Sequence, residues 1–467
     1  MYPKLYNYTL SNNFKTLLIP INNINNIAIS LTFDLGFFDE LLGETGYSHF
    51  LEHLINRHLT NNTILATLKD KGIYFYSNAS TNNFRTSYYL YSNNNNLTIL
   101  IDALFEIFDI EYIDPKYFKK EMGAVIVEMK QILSKSEKLV FFKQIPEMMF
   151  GSKSKLVEDP LQHINTISES TICDLFNFLK KSYTKQNSIL TIAGNFNKTK
   201  ILNYIKSKNI DKSIKLNSKS IKLNSKSIKL NSKSIKLNSK SIKLNSKSKL
   251  FNKRIINIPK ITKPQYVFVK VDINKISNIY LNFFCPNIYN NKKIGILNLL
   301  KVILSDLNDS SILFKRLRTK LGIAYSPKIS LDLNQYYGIF ILKYNIENHN
   351  FKKSFEEIID IFNDLKNKLI MEDLLILAKN RNLYKIEKNI NNKNPEEYLA
   401  YSNNILNNDF PLYNDKQFYE KFIQNVTLHD IRQLSKEIFK KNNAYLCAIG
   451  THKYDSKIIY KNLNKLS

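Results

Sequence analysis

Apolar positions along this 467-residue chain follow two periods, and their order predicts two halves built to one plan. β-Type runs open each half, at 16–19 and 27–35 in the first and at 266–271 and 279–284 in the second. Pro20 is placed to end the first run, because proline cannot donate to a sheet ladder. Each half continues through helical patterns and closes on a further β-like run, 187–195 and 443–450. Phe50, Leu51, Leu54, Ile55 and Leu59 make an apolar stripe at helical spacing behind Gly46. Asp114 and Pro115 form a helix start, with Asp as N-cap and Pro at the first helical position, and that helix is expected to run to about residue 133. Strands and helices mix without regular βαβ alternation. The fold class predicted is therefore α+β: two similar domains, each a mainly antiparallel sheet packed with helices.

Neither period holds between the halves. Ser-Ile-Lys-Leu-Asn-Ser-Lys occurs five times in tandem over residues 213–247. A period of seven suggests a coiled coil, but Ile and Leu here are spaced two and then five apart, whereas a coiled-coil seam needs three and four. The polar, Lys- and Ser-rich composition has too little apolar surface for a core. The segment is read as a disordered linker, 206–253, between an N-terminal domain, 1–205, and a C-terminal domain, 254–467.

The formal net charge of +28 invites a nucleic-acid reading, and two observations turn it aside. Asn, Lys, Ile, Tyr and Phe, with A/T-rich codons, are abundant, while Gly and Pro number 11 each and Trp is absent, so genome composition accounts for the charge. Residues 211–250 alone hold 12 Lys and one Asp, a net +11, which leaves 28 − 11 = +17 elsewhere. No apolar stretch approaches the ~18 residues that span a membrane, and residues 1–20 show no signal-peptide pattern. The three cysteines, Cys173, Cys285 and Cys447, are odd in number and far apart, which predicts a reducing compartment and neither a disulfide frame nor a thiolate metal site. The expectation is a soluble cytoplasmic chain, free of membrane and nucleic acid.

The chemistry concentrates in five residues. His49-Phe50-Leu51-Glu52-His53 is an HxxEH motif, in a chain with only 7 His. On a helix, His49 and His53 stack on one face and can share a Zn²⁺ ion. Glu52, on the same flank, can reach a water held by the metal without being a ligand, the arrangement for metal-assisted hydrolysis. His58 lies five residues past His53, points away from that face, and is expected to be solvated. A catalytic zinc usually takes a third protein ligand. Glu121 and Glu128, two turns apart on the helix after Asp114, both qualify, and spacing alone does not choose between them.

With these residues in view, the chain resembles the inverted-motif zinc peptidases, the family of pitrilysin, insulinase and the β-subunit of the mitochondrial processing peptidase, as a short, half-length, bacterial-type member. Gly36-Phe37-Phe38-Asp39-Glu40 resembles the family's Gly-Ser-x-x-Glu, Asn78-Ala79-Ser80-Thr81 its Asn-Ala-x-Thr strand, and Glu121 with Glu128 its glutamate pair. Tyr183 to Asn187 and Gly194 to Phe196 resemble the close of its first domain, and residues 310–326 its Ser-Ser-x-Leu-Phe…Leu-Arg-x-Lys-x-Gly-x-Ala-Tyr-Ser segment. The chain departs from the family at residues 56–60, at 306–309, and at Phe84, where an acidic residue is common.

The resemblance implies that His49, His53 and Glu128 bind one zinc per chain, that Glu52 is the general base, and that Glu121 orients a ligating imidazole from outside the ligand set. It implies that Arg318 and Tyr325 contact substrate and that Asn78 and Ala79 lie on a strand that holds extended peptide. It implies a zinc endopeptidase acting on peptides or unfolded proteins. The unit would be a homodimer, or a heterodimer with an inactive homologous subunit, with sites completed between protomers. The competing expectation is a catalytically silent structural subunit of a processing-peptidase-like complex.

Overall fold

A computed structural model describes residues 3–61, 64–209, 254–271, 276–323, 327–402 and 415–466. Most of the segment read as a linker, from residue 210 to 253, and Tyr325 lie outside the described residues. The helix Lys198–Lys208 continues three residues past the boundary expected at 205.

The fold is α+β, with two mainly antiparallel sheets. The first half contributes β1 (Tyr6–Thr9), β2 (Lys15–Pro20), β3 (Asn26–Phe33), β4 (Phe75–Thr81), β5 (Thr86–Asn93) and β6 (Ser188–Gly194), in the order β1-β2-β6-β3-β5-β4. The second contributes β7 (Gln265–Lys270), β8 (Ile276–Cys285), β9 (Lys328–Leu333), β10 (Gly338–Glu347) and β11 (Tyr445–Gly450), in the order β7-β11-β8-β10-β9. One parallel pair stands in each sheet, β2 with β6 and β7 with β11, and every other pairing is antiparallel. The first and last long runs of each half thus meet side by side. Pro20 is the last residue of β2, as its missing N–H requires.

Helices cover one face of the first sheet. They include α1 (Tyr47–Asn61), which carries the HxxEH motif, and α2 (Pro115–Ser134), whose N-cap Asp114 accepts from the Lys116 N–H. Phe33, Phe50, Leu51, Tyr88, Leu90 and Leu104 are among the residues fully buried between sheet and helices. The second sheet packs likewise on α3 (Phe351–Asn367) and α4 (Leu428–Ile438), through Phe283, Phe340, Phe355 and Phe439.

A third apolar cluster joins the halves. Phe38, Phe84, Val140, Ile145, Met149 and Phe150 of the first pack on Tyr280, Tyr337, Ile339 and Tyr445 of the second. A polar hub sits beside it. Arg254, 6% exposed, donates to both carboxylate oxygens of Asp39 (2.6 and 2.5 Å), to Asp34 Oδ1 (2.9 Å), and to the carbonyls of Asp34 (3.0 Å) and Phe84 (3.1 Å). Its guanidinium also stacks 5.5 Å from the centre of the Phe84 ring. Burial opposes the Arg254 charge, yet the two aspartates hold it more firmly protonated than a free arginine.

Removing one partner of such a pair leaves a buried charge uncompensated, at a cost of about 3–5 kcal/mol. Arg254→Met should therefore lower the apparent melting temperature by roughly 6 °C or more. Adding Asp39→Asn should recover part of that loss, because the second charge goes too. Additive losses in calorimetry would show that the two charges are not coupled.

Candidate active site

The loop before α1 sets where the motif starts. Gly46 has φ +91°, and a Cβ there would lie 2.9 Å from Ile167, so a side-chain-free residue is needed at this position. Glu40 caps the helix, with one carboxylate oxygen accepting from the Gly46 N–H (2.7 Å) and the other from the Ser48 N–H (2.8 Å). Burial pushes the Glu40 carboxyl up to about 8, although both backbone donors favour its charged form. The helix then buries Phe50, Leu51, Leu54 and Ile55 against the core, and the motif histidines fall on its other flank.

Three ligand-type side chains converge there. The Nε2 atoms of His49 and His53 lie 3.2 Å apart. One Glu128 oxygen lies 3.5 Å from His49 Nε2 and 3.6 Å from His53 Nε2. Among the described residues this is the one group of three or more His, Cys, Asp or Glu whose donor atoms gather within 4.8 Å. The two glutamates that spacing left equivalent take different places. Glu121 is buried on the far side of His53, 3.4 Å from Nδ1, and is itself held by Arg57 Nε at 2.8 Å. Glu128 faces the two Nε2 atoms with its side chain 44% exposed.

The donor chemistry fits a catalytic zinc: two imidazole nitrogens, one carboxylate oxygen, and an open side towards solvent. The His53–Glu121 contact has the form of the outer-shell carboxylate that fixes a ligand's tautomer. Electrostatics agree with a cation-binding cluster. The imidazoles hold the Glu128 carboxyl well below the usual range. Burial opposes a charge on His53, but Glu128, Glu52 and Glu121 together raise its pKa. Glu52 is buried on the same helix, and its charge reaches His53, Tyr88, Tyr89 and Tyr183. Phe37 lies 6.3 Å from the His49 ring, edge-on, and 5.4 Å from His163, which burial pushes down to about 4.

The other expected residues spread outward. Asn78 and Ala79 are on β4, the edge strand nearest α1, where Ala79 faces the core and its N–H is taken by Asn78 Oδ1 (2.8 Å). Arg318 stands in the second half on the wide-turn helix Phe314–Lys320, exposed, with its guanidinium 4.7 Å from the Phe314 ring centre, outside the His49/His53/Glu128 cluster. His58, expected to be solvated, is half-buried beside Leu51, Leu54 and Ile110, and burial lowers its pKa. Three residues escaped sequence reading: Arg57, Arg254 and His163. Arg57 could have been found as a cation four residues past His53, on the flank facing Glu121.

Comparison with known proteins places this geometry in context. The family model described as Insulinase (Peptidase family M16) matches residues 17–158, and that described as Peptidase M16 inactive domain matches residues 171–382. The mitochondrial-processing peptidase subunit beta of Saccharomyces cerevisiae is 24% identical over 187 residues, 39% of this chain and 40% of that protein. An uncharacterized zinc protease of Rickettsia felis is 26% identical over 199 residues, 41% and 47% of the two chains. The matched stretch thus spans less than half the length of these curated relatives. In structure, a protease from Helicobacter pylori superposes with a TM-score of 0.77 at 18% identity, over 96% of this chain and all of that one.

The two glutamates should separate by metal content. Glu128→Gln should bind zinc at least about 100-fold more weakly than wild type, and Glu121→Gln about 10–100-fold more weakly. Competition with a chromogenic chelator measures both. A larger loss in Glu121→Gln would reverse their places.

Proposed function

The chain belongs to the M16 peptidase family, and from that premise we propose that it is a zinc-dependent endopeptidase acting on extended or unfolded peptides. The observation that carries the proposal is the convergence of His49 Nε2, His53 Nε2 and the Glu128 carboxylate, with Glu52 buried on the same helix. One zinc per chain would be held by His49, His53 and Glu128, with Glu121 orienting His53 through Nδ1. Bound there, zinc supplies Lewis acidity, which lowers the pKa of a coordinated water towards about 7 and polarises a peptide carbonyl. Glu52 takes the proton of the attacking water and passes it to the leaving amine. The free edge of β4, at Asn78 and Ala79, pairs with the backbone of the substrate. Arg318 and Tyr325 donate to the scissile carbonyl and to the oxyanion that develops on it.

The zinc set and the Arg318/Tyr325 pair belong to different halves of the chain. The working unit in this reading is a dimer in which each site takes its zinc residues from one protomer and Arg318 and Tyr325 from the other. A homodimer fulfils this, and so does a heterodimer with an inactive homologous subunit. One observation favours a second reading, a catalytically silent structural subunit: the family model over residues 171–382 describes an inactive domain. The intact His49, Glu52 and His53 weigh against it.

Zinc-loaded wild type should cleave unstructured peptides. Glu52→Gln should keep about one zinc per chain and lose turnover by about 10²- to 10⁴-fold. Full zinc occupancy in wild type with no turnover across a peptide library would favour the silent subunit. Mixing Glu52→Gln with Arg318→Ala protein tests the dimer: exchange should restore up to about a quarter of wild-type activity if sites complete in trans. No recovery after verified subunit exchange would sink that arrangement.

A further inference from the structure

The face of the first sheet turned away from α1 and α2 is only partly covered. Tyr398 of the second half packs on Leu17, Ile19 and Ile189 there. Beyond it, between β4, β5 and residues 394–396, lies a cleft of about 470 Å³.

Its wall is made of tyrosines. Tyr76 on β4 pairs directly with Tyr91 on β5, so both rings rise from the same face, and they stack at 5.4 Å and 8°. Tyr89 follows two residues before Tyr91 with its ring 5.6 Å away, and Tyr74 extends the row at the mouth, 79% exposed. The residues that alternate with them, Tyr88 and Leu90, face the core instead. Pro395 and Glu396 close the cleft from the second half. Glu396 makes no ion pair among the described residues, and its charge is close enough to raise the Tyr91 hydroxyl pKa further, after burial. Among the described residues no lysine or arginine lines the cleft, in a chain that has 68 of them.

Aromatic faces carry negative quadrupole charge and attract cations, and a carboxylate beside them adds to that attraction. The cleft adjoins β4 beside Asn78. The Tyr76 hydroxyl accepts from Asn78 Nδ2 at 3.2 Å, and the charge of Glu52 reaches Tyr89. We propose that Tyr76, Tyr89, Tyr91 and Glu396 form a subsite for a basic side chain, lysine or arginine, of the peptide paired along β4. The proposal rests on the reading of β4 as the substrate strand. Same-face residues on a strand stand about 6.6–6.8 Å apart, so the subsite takes the side chain two positions along from the one over Asn78.

Binding without turnover tests it. Full-length, zinc-loaded Glu52→Gln protein is titrated into a labelled unstructured peptide, and anisotropy is read. One lysine is moved through an otherwise neutral sequence, with norleucine at the same position as control. One position should bind lysine about tenfold more tightly than norleucine. Tyr76→Leu and Glu396→Gln, at solvent-exposed positions whose exchange leaves the core untouched, should each erase that margin. No margin at any position, a margin that survives both substitutions, an aromatic preference in its place, or no peptide binding at all overturns the subsite. Cleavage of the norleucine peptide by wild type is the separate arm. Its failure counts against the peptidase reading, whereas cleavage with no lysine margin counts against the subsite alone.

Discussion

A short loop, residues 34–40, holds the molecule together in two directions at once. Asp34 and Asp39 face a guanidinium from the second half, and Glu40 faces the first turn of α1. Gly36 donates to Asp39 Oδ2 at 2.9 Å and would carry its Cβ into the Asn82 carbonyl at 2.1 Å, so this loop lies hard against the β4–β5 turn. Lys155 closes it from outside by donating to the carbonyls of Phe38 and Glu40. The seating of the halves and the start of the motif helix therefore share one rigid segment. Arg254 is thus tied through this loop to Glu40, to the start of α1 and to the Phe37 ring that lies against His49.

The ligand-type cluster depends on a second packing decision, the rotation of α2 against α1. Phe50 and Phe118 meet across that interface at 5.1 Å, and Val125 and Met129 are buried along the same face. This rotation sends Glu121 inward behind His53 and leaves Glu128 two helical turns further on, at the rim. Two carboxylates seven residues apart thus face one imidazole from opposite nitrogens. The inner one can be buried because Arg57 and His53 both answer it, which offsets the desolvation that an isolated carboxylate would suffer.

Much of this was legible in the sequence where the signal is local. HxxEH places two imidazoles on one helix face whatever surrounds it. Asp114 and Pro115 start α2 because an N-cap and a fixed φ act within one turn, and the helix ends at Ser134, one residue beyond the expectation. The runs that became β2, β3, β6, β7, β8 and β11 were found to within a few residues, since buried β-type segments stand out in a chain otherwise rich in Asn and Lys, whereas β1, β5, β9 and β10 were not singled out. What escaped depends on contacts distant in sequence. Glu121 and Glu128 differ only through a helix–helix rotation that joins residues 64–79 positions apart. Arg254 reads as one more basic residue after a Lys-rich repeat, and nothing near it announces the aspartates 215 and 220 positions away that bury it. The tyrosine rows at 74/76 and 89/91 show a period of two, but which face they take is decided by the core residues that alternate with them.

The tyrosine cleft also changes what the net charge means. A chain at +28 repels cationic peptides at long range, but at physiological salt that field decays over about 8 Å, and +11 of the charge sits in residues 211–250. If β4 pairs with substrate as proposed, selection along it would be governed by the side chains within a few ångströms of the bound strand. Among the described residues those are four phenol rings, several amides and one carboxylate, with no cation. In the proposed reading the global charge would slow the approach of a basic peptide while the cleft would lengthen its stay, because the two act over different distances. Overall charge and local preference can therefore have opposite signs in one molecule, and in the proposed reading the cleft, being in contact, would set which side chain is held.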